Sequence, residues 1–353
     1  MLSPPKVRVT FSILISIMHL VCTAVNKLYK SVCTAICVRV VKAALALRVI
    51  AIATIFIALS FTACAENLQI VVTFPNLKED VSLISCNDSI TSVAPAGVEP
   101  HSYQLTPENV KVLKNADLIV STAHAPFEVR IREMVERGDV KAELIEIPGI
   151  PGIKILDNPS TGQPNLHMPI YDPENYKTFI MYTADVLSRL NAENAAEYKA
   201  KAESVVKEVD EIVKAVPKLN AVAAADIPSA QYAVSWLNVT VRYLVVKEPS
   251  LPATPEELRS MEKAMKSGEI QLAVITRSNS KASSMLEELA KENGVPVLYV
   301  ESAVSVESVP EKLKSIAEEV KGIKEVEKTA KSPGYGLLLA IVSMSIALKG
   351  LRR

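Results

Sequence analysis

The sequence predicts an α/β protein of two lobes, each a parallel sheet flanked by helices, joined by a long helical bridge. Three observations predict it. Short, continuous apolar runs rich in β-branched residues recur along the chain, the form taken by strands buried on both faces. These runs alternate with stretches of helical periodicity, and strand–helix alternation implies parallel sheets covered on both sides. Between two such series lies a charged, helix-periodic stretch, residues 172–218, the longest helical segment of the chain.

In the first series, Leu68–Phe74 reads as a buried strand and Asp88–Val93 as a second. Thr106-Pro107-Glu108 opens a helix to about Lys114, with Thr as N-cap and Pro at the first helical position. Asp117–Ser121 is the next strand, Phe127–Gly138 a helix and Ala142–Ile147 a short strand. Asp172-Pro173 starts the bridge, which runs as a helix to about Leu190 and again over Glu193–Val216. The second series has expected strands at Gln231–Trp236, Gln271–Thr276 and Val295–Val300. Its expected helices are Pro255–Ser267, Lys281–Asn293 and Glu307–Val320. The division is therefore 1–65 leader, 66–171 first lobe, 172–218 bridge, 219–325 second lobe and 326–353 linker and C-terminal tail.

The 353 residues, 49% hydrophobic and 22% charged, suffice for two lobes with a sizeable core. A net charge of zero conceals a division. Seven of the 39 Lys and Arg lie in residues 1–63 and four in 331–353, whereas none of the 39 Asp and Glu does. The body between carries a net charge of −11. An acidic body excludes nucleic acid as a partner, since phosphates need Lys and Arg. It is compatible with collecting cations, and equally with a merely soluble surface.

The basic, apolar ends read as targeting devices. Val49–Ala63 follows Arg39, Lys42 and Arg48 and ends in small residues, a signal-peptide pattern. Cys64 behind Thr62-Ala63 resembles a lipid-attachment site, although Phe61 departs from its usual leading Leu. Residues 1–38 hold another apolar stretch, Phe11–Val21, either upstream of the true start or a membrane segment. At the other end Gly336–Leu348 is apolar and precedes Lys349, Arg352 and Arg353. It is shorter than the ~20 residues of a full span, but the trailing basic residues suit the cytoplasmic side and leave the body outside. The expectation is an extracytoplasmic body tethered to the outer face of the membrane by a lipid, a C-terminal helix or both. Of five Cys, Cys86 alone lies within residues 66–325, so there is no disulfide framework and no thiolate cage.

In parallel α/β sheets, ligands sit beyond the carboxyl ends of the strands. That rule puts His101 after the second strand, Asn238 after Gln231–Trp236, Arg277 and Ser278 after Gln271–Thr276 and Glu301 after Val295–Val300. His167 precedes the bridge. Metal-competent groups from both lobes thus fall where an interlobe cleft would lie. Imidazole is a favoured ligand for transition metals, although an isolated His is more often an ordinary surface or core residue.

Gly97-Val98-Glu99-Pro100-His101-Ser102-Tyr103, then Leu105-Thr106-Pro107-Glu108 and Lys114-Asn115-Ala116-Asp117-Leu118-Ile119-Val120, resembles the zinc/manganese type of solute-binding protein of ABC importers. That family carries Gly-x-Asp/Glu-Pro-His-x-aromatic, then Thr-Pro, then Ala-Asp before a strand. The resemblance extends more loosely over about Ile70–Lys321. It implies a metal cleft between the lobes, a divalent zinc, manganese or ferrous ion as cargo, and an ABC permease with its ATPase subunit as partners. It further implies a monomer that is not an enzyme.

By the resemblance His101 is a first-lobe ligand. Pro164-Asn165-Leu166-His167 before Asp172-Pro173-Glu174-Asn175 is similar to the second family motif, which makes His167 a ligand; its spacing to the Asp is one residue longer than usual. Asn238 aligns with a second-lobe His or Glu, a departure, because an amide oxygen is a poor ligand. Asn238 also begins an Asn-Val-Thr glycosylation sequon, and a plain strand-end cap is the alternative. Glu301 matches the acid that follows the last strand. His124 and Glu128 lie four apart, close enough to meet on one helical turn. His124 is read chiefly as orienting His101 or His167, with substitute ligation as the alternative. The His-rich acidic loop common in the family is absent, since Gly149–Pro164 contains no His.

A metallohydrolase is the enzymatic alternative, but no compact His-Glu-x-x-His motif exists. A surface adhesion protein with a degenerate site is the other alternative, favoured by the missing second-lobe His.

Overall fold

A computed structural model describes residues 67–248 and 251–330, together with a few positions between 18 and 30. The expected signal sequence, Cys64 and the apolar stretch 336–348 lie outside the described residues. The chain divides into two compact units, Met1–Cys64 and Ala65–Arg353, and every element named below belongs to the second. Among the described residues no helix is long and apolar enough to cross a membrane.

The first sheet holds β1 (Gln69–Val72), β2 (Ser89–Ser92), β3 (Leu118–Ser121) and β4 (Glu143–Glu146), all parallel, in the order β2-β1-β3-β4. Helices α1 (Pro75–Ser82), α2 (Pro107–Lys114) and α3 (Pro126–Glu136) connect them. Each of these helices has Pro in its first turn, where a missing N–H costs nothing. Thr106 caps α2 by accepting from the Asn109 amide, as its sequence predicts. The strand order reverses between β1 and β3, so the loops leaving them diverge and open a crevice.

The bridge is α4 (Pro173–Leu190) followed, across a 3-10 turn at Ala192–Asn194, by α5 (Ala195–Ala215). Asp172 caps α4 by accepting from the amides of Glu174 and Asn175. The second sheet, β10-β9-β5-β6, is also wholly parallel. Its strands are β5 (Ala221–Ala225), β6 (Val239–Leu244), β9 (Leu272–Thr276) and β10 (Val297–Val300). Its helices are α6 (Ala230–Ser235), α7 (Pro255–Lys266), α8 (Lys281–Glu292) and α9 (Val309–Ala330). A small antiparallel pair, β7 (Val246–Glu248) and β8 (Leu251–Pro252), follows β6.

Two expectations fail here for identifiable reasons. Gln231–Trp236 is not a strand but lies in and just beyond α6. Tyr232, Ala233, Val234, Trp236 and Leu237 are all buried, so the segment lacks the one-sided periodicity that distinguishes helix from strand. The first strand of the second lobe is instead β5, whose alanines would favour a helix by intrinsic propensity. It lies between β9 and β6, and Ala223, Ala224 and Ala225 are fully buried, so tertiary packing overrides the propensity.

One hydrophobic core runs through both sheets and the bridge, from Ile70 and Val120 through Tyr176, Phe179 and Tyr198 to Ala225, Val274 and Leu298. A polar junction is embedded in it. Buried Asp80 on α1 accepts from the Tyr176 hydroxyl at 3.0 Å and from the Val309 amide at 2.8 Å. Buried Lys312 on α9 donates to the carbonyls of Ala303 and Ser305, both at 3.0 Å. Tyr171 donates to the Glu301 carbonyl at 3.0 Å. Elements of the first lobe, the bridge and the second lobe are thereby joined, and the 301–305 loop is held in place.

Burial raises the Asp80 pKa to about 6, against the opposing pull of the Val309 amide, Lys312 and Tyr176. Burial likewise lowers Lys312 to about 8, with Asp80 the main opposing charge. The Asp80 carboxyl therefore holds its proton more tightly folded than unfolded, and ionising it costs stability as pH climbs from about 4 through about 6, by up to ~3 kcal/mol. Asp80→Asn keeps an acceptor for Tyr176 and Val309 but does not ionise. Its melting temperature relative to wild type rises between about pH 4 and about pH 7 in thermal denaturation; a difference independent of pH contradicts the assignment.

Candidate metal centre

Three loops at the carboxyl end of the first sheet each deliver one imidazole. The first leaves β2. Gly97 turns it with a φ of 80°, a conformation that favours glycine. The Tyr103 hydroxyl reaches the Val93 carbonyl at 2.9 Å, and its ring packs edge-on against Phe127, pinning the loop. Glu99 accepts from the Ser102 amide at 2.8 Å and lies 3.0 Å from His101 Nδ1. Burial pushes the Glu99 carboxyl up, but its bonds to His101 and Ser102 outweigh that and lower its pKa. Glu99 thus fixes the ring with Nε2 directed into the cleft.

The second loop leaves β3 and enters α3. Its organiser is fully buried Glu128. One carboxylate accepts from the Ser121 and Thr122 hydroxyls and from the amides of Thr122, His124 and Ala125, at 2.6–3.0 Å. Ala123, with a φ of 58°, occupies the left-handed region. The third loop precedes the bridge, where Met168 has a φ of 55°. Non-glycine residues in this region cost about 1 kcal/mol or more each, a strain the surrounding bonds must hold. Buried Asn165 accepts from the His167 amide and lies 3.0 Å from His167 Nδ1. Asn165 Nδ2 donates to the Pro228 carbonyl and to Gln231 Oε1, both at 2.9 Å. His167 is therefore oriented by a side chain that also grips the second lobe.

The three rings converge. His124 Nε2 lies 3.2 Å from His101 Nε2 and 3.1 Å from His167 Nε2. Nitrogens bonded to one tetrahedral zinc at ~2.0–2.1 Å sit about 3.3 Å apart, so both edges at His124 match the length such an ion requires, and the ligand atoms of all three rings lie within 4.8 Å of one another. The proton count points the same way. With the Nδ1 protons of His101 and His167 donated to Glu99 and Asn165, both Nε2 atoms present lone pairs. His124 has one proton to offer between them, so at least one of the two contacts sets bare lone pairs against each other. At His124 and His167 protonation does not relieve this. Burial, then the neighbouring histidines, lower the His167 pKa to about 3, and burial followed by His101 lowers His124. Convergent imidazoles with lone pairs set against one another form a site for a cation.

The cleft above the triad holds about 250 Å³ and is closed on the far side by Ile227, Pro228, Glu248 and Ser302–Val304. His101, His124 and His167 are the expected residues that the structure brings together. His124 does not orient either neighbour through Nδ1, since Glu99 and Asn165 occupy those positions. Asn238 is far from the role expected of it. Asn220 and Asn238 immediately precede the parallel partners Ala221 and Val239 and bond to each other at 2.6 Å. They mark the amino end of the sheet, opposite the cleft. Asn238 follows from the strand misassigned at Gln231–Trp236, and its φ of 58° shows a turn position. Glu301 is at the correct end of β10, but its carboxylate turns away to Arg277 Nε and Ser315 Oγ, each at 3.2 Å. It does not line the cleft. Arg277 is engaged by Glu301 and Glu319 and is likewise absent from the lining.

The acid that faces the triad is Glu248 at the end of β7, with Oε2 3.5 Å from His167 Nε2. Sequence reasoning missed it because β7 carries no motif and its short alternation is lost beside the longer runs. Glu99 and Asn165 stood inside the quoted motifs, yet no pattern assigned them their orienting bonds.

Residues 70–325 match the family described as zinc-uptake complex component A, periplasmic. The fold is shared with solved solute-binding proteins. The manganese complex of FpvC from Pseudomonas aeruginosa has 19% identity and a TM-score of 0.62, over 74% of this chain and all of that one. ZnuA has 17% identity and a TM-score of 0.59, over 74% and 99%. A mutant of the laminin-binding adhesin of Streptococcus agalactiae has 15% identity and a TM-score of 0.60, over 72% and 100%. The chain belongs to the zinc-uptake complex component A family, the metal-binding, extracytoplasmic solute-binding components of ABC importers, which work with a permease and an ATPase and are not enzymes.

Glu128→Gln turns one acceptor of the Glu128 bond set into a donor facing donors. Denaturant titration is expected to show a loss of about 1–3 kcal/mol. Unchanged stability contradicts the organising role.

Proposed function

We propose that this protein captures a divalent transition-metal ion on the three imidazoles of His101, His124 and His167 and delivers it to an ABC permease. The observation that carries the reading is the convergence of three imidazoles, with ligand atoms all within 4.8 Å of one another. Three nitrogen donors favour zinc over manganese, which prefers oxygen-rich octahedral surroundings, with ferrous iron between them. This narrows the cargo from the zinc, manganese or ferrous iron that the sequence left open.

In this reading residues 66–171 and 219–325 act as the two lobes, 172–218 as the bridge, and the body works as a monomer outside the cell membrane. The tether is a lipid at Cys64, the apolar stretch 336–348, or both, after removal of the leader within residues 1–65. The membrane-facing roles rest on the sequence patterns; the metal reading rests on the triad and does not need them.

Isothermal titration of the full chain with zinc is expected to give one ion per chain, bound at least about tenfold more tightly than manganese. Replacing any one of His101, His124 or His167 by Ala is expected to weaken zinc by more than about 100-fold, because each supplies a coordinate bond. Glu99→Gln and Asn165→Asp, which change the group that orients a ring without removing a ligand, are expected to cost about 10–100-fold. A His124→Ala variant with wild-type affinity contradicts the three-imidazole site. Manganese bound more tightly than zinc contradicts the metal preference.

A further inference from the structure

We infer that Asn238 and Asn87 are N-glycosylation sites, so that the exported body carries oligosaccharides at the end of its two sheets that faces away from the metal cleft. The inference rests on the extracytoplasmic part of the reading above and needs nothing of the metal.

The chain contains three Asn-x-Ser/Thr triplets, and the structure separates them. Asn158-Pro159-Ser160 is disqualified twice. Its middle residue is Pro, which an acceptor triplet excludes, and Asn158 is fully buried, with Nδ2 donating to the Lys247 carbonyl at 2.7 Å. Asn238-Val239-Thr240 and Asn87-Asp88-Ser89 have neither obstacle. In both, the Asn and the hydroxyl residue are exposed while the middle residue is anchored. Val239 is buried at the start of β6. Asp88 accepts from the amides of Leu68 and Cys86 and from the Tyr198 hydroxyl. Each Asn occupies a turn, with a φ of 58° at Asn238 and 60° at Asn87. A modifying enzyme must take the amide and the hydroxyl into its own site together. An exposed turn offers both; a packed segment does not.

The turn explains the Asn but not the hydroxyl. Left-handed backbone favours Asn among side chains, and Asn238 Nδ2 also donates to Asn220 Oδ1 at 2.6 Å. Neither feature calls for Thr or Ser two residues on. Thr240 and Ser89 are exposed, so neither hydroxyl is needed to satisfy a buried group.

The two turns occupy equivalent places. Asn87 precedes β2 and Asn238 precedes β6, each the terminal strand of its sheet, and both lie at the amino end. The histidine loops and the loops that close the cleft leave the carboxyl ends. Sugar on these turns therefore leaves the cleft mouth uncovered. It also places a bulky, hydrated chain beside two strands whose outer edges are open to pairing with another copy.

The co-reactant is an oligosaccharide carried on a membrane lipid phosphate, presented by a transferase outside the membrane. The Asn Nδ2 attacks the anomeric carbon. An N–C bond forms as the C–O bond to phosphate breaks, the lipid phosphate leaves with the electron pair, and the amide gives one proton to solvent. One N–H remains on Asn238 to donate to Asn220.

The test uses the full chain isolated from the cells that naturally produce it, with tryptic peptides read by mass spectrometry. The peptides holding Asn238 and Asn87 are each expected to be heavier by one oligosaccharide. Thr240→Ala and Ser89→Ala keep both Asn turns and are expected to abolish the sugar at their own site, whereas Thr240→Ser and Ser89→Thr retain it. Zinc affinity of the two Ala variants is expected to stay within about twofold of wild type, as for other surface substitutions. An unmodified Asn238 in protein that added protease digests on cells stripped of their wall overturns the inference and leaves the extracytoplasmic reading standing. An unmodified Asn238 in protein shielded from that protease overturns both. Sugar at Asn238 beside an unmodified Asn87 overturns the inference for the first lobe. Sugar that survives Thr240→Ala overturns the triplet as its cause.

Discussion

Three imidazoles are held with their nitrogens converging, at least one contact setting lone pair against lone pair, and the surrounding structure is organised to hold them there. Glu99, the Glu128 bond set and Asn165 each fix one ring or its loop. Left-handed backbone at Ala123 and Met168 adds strain beside two of the three. Preorganisation of this kind raises affinity because little ordering remains to be done on binding.

The fold supplies the geometry through its strand order. Reversal between β1 and β3 separates the loops that leave the sheet, and the histidines come from the loops after β2, after β3 and before α4. Opposite them, the loops after β5 and β10 and the β7–β8 pair close the cleft. The two sides are not independent. A continuous core and the buried Asp80–Tyr176–Lys312 junction connect α1, the bridge and α9, and Lys312 also holds the loop that carries Ser302–Val304 into the cleft. A wide hinge between the two sheets would have to break this core and junction.

Much of this was legible in the sequence, and the failures share one cause. In the first lobe the strands are β-branched and the assigned helices begin with Pro or beside it, which makes them legible; α1, which has no side-chain cap, is not among the helices expected from sequence. The second lobe opens with β5, an alanine-rich strand, and continues with α6, a six-residue helix whose sides are buried except at half-buried Gln231 and Ser235. Both defeat period and propensity, since burial on nearly every face erases the pattern that either would show. That exchange displaced Asn238 to the wrong end of the sheet. Glu301 failed differently: its position was right and its direction was not, because Arg277 captures the carboxylate. Glu248 could not have been found by pattern, as only tertiary packing brings the end of β7 to His167. The histidines of the two motifs were legible because loop motifs encode local turns; the central place of His124 depends on three loops meeting.

X-ray absorption at the zinc edge of the loaded protein tests the central claim most directly. Convergence of His101, His124 and His167 on one ion predicts a first shell at ~2.0–2.1 Å with multiple-scattering features of three imidazoles and one lighter oxygen donor. A shell with one imidazole or none, or a zinc coordinated mainly by oxygen, contradicts it.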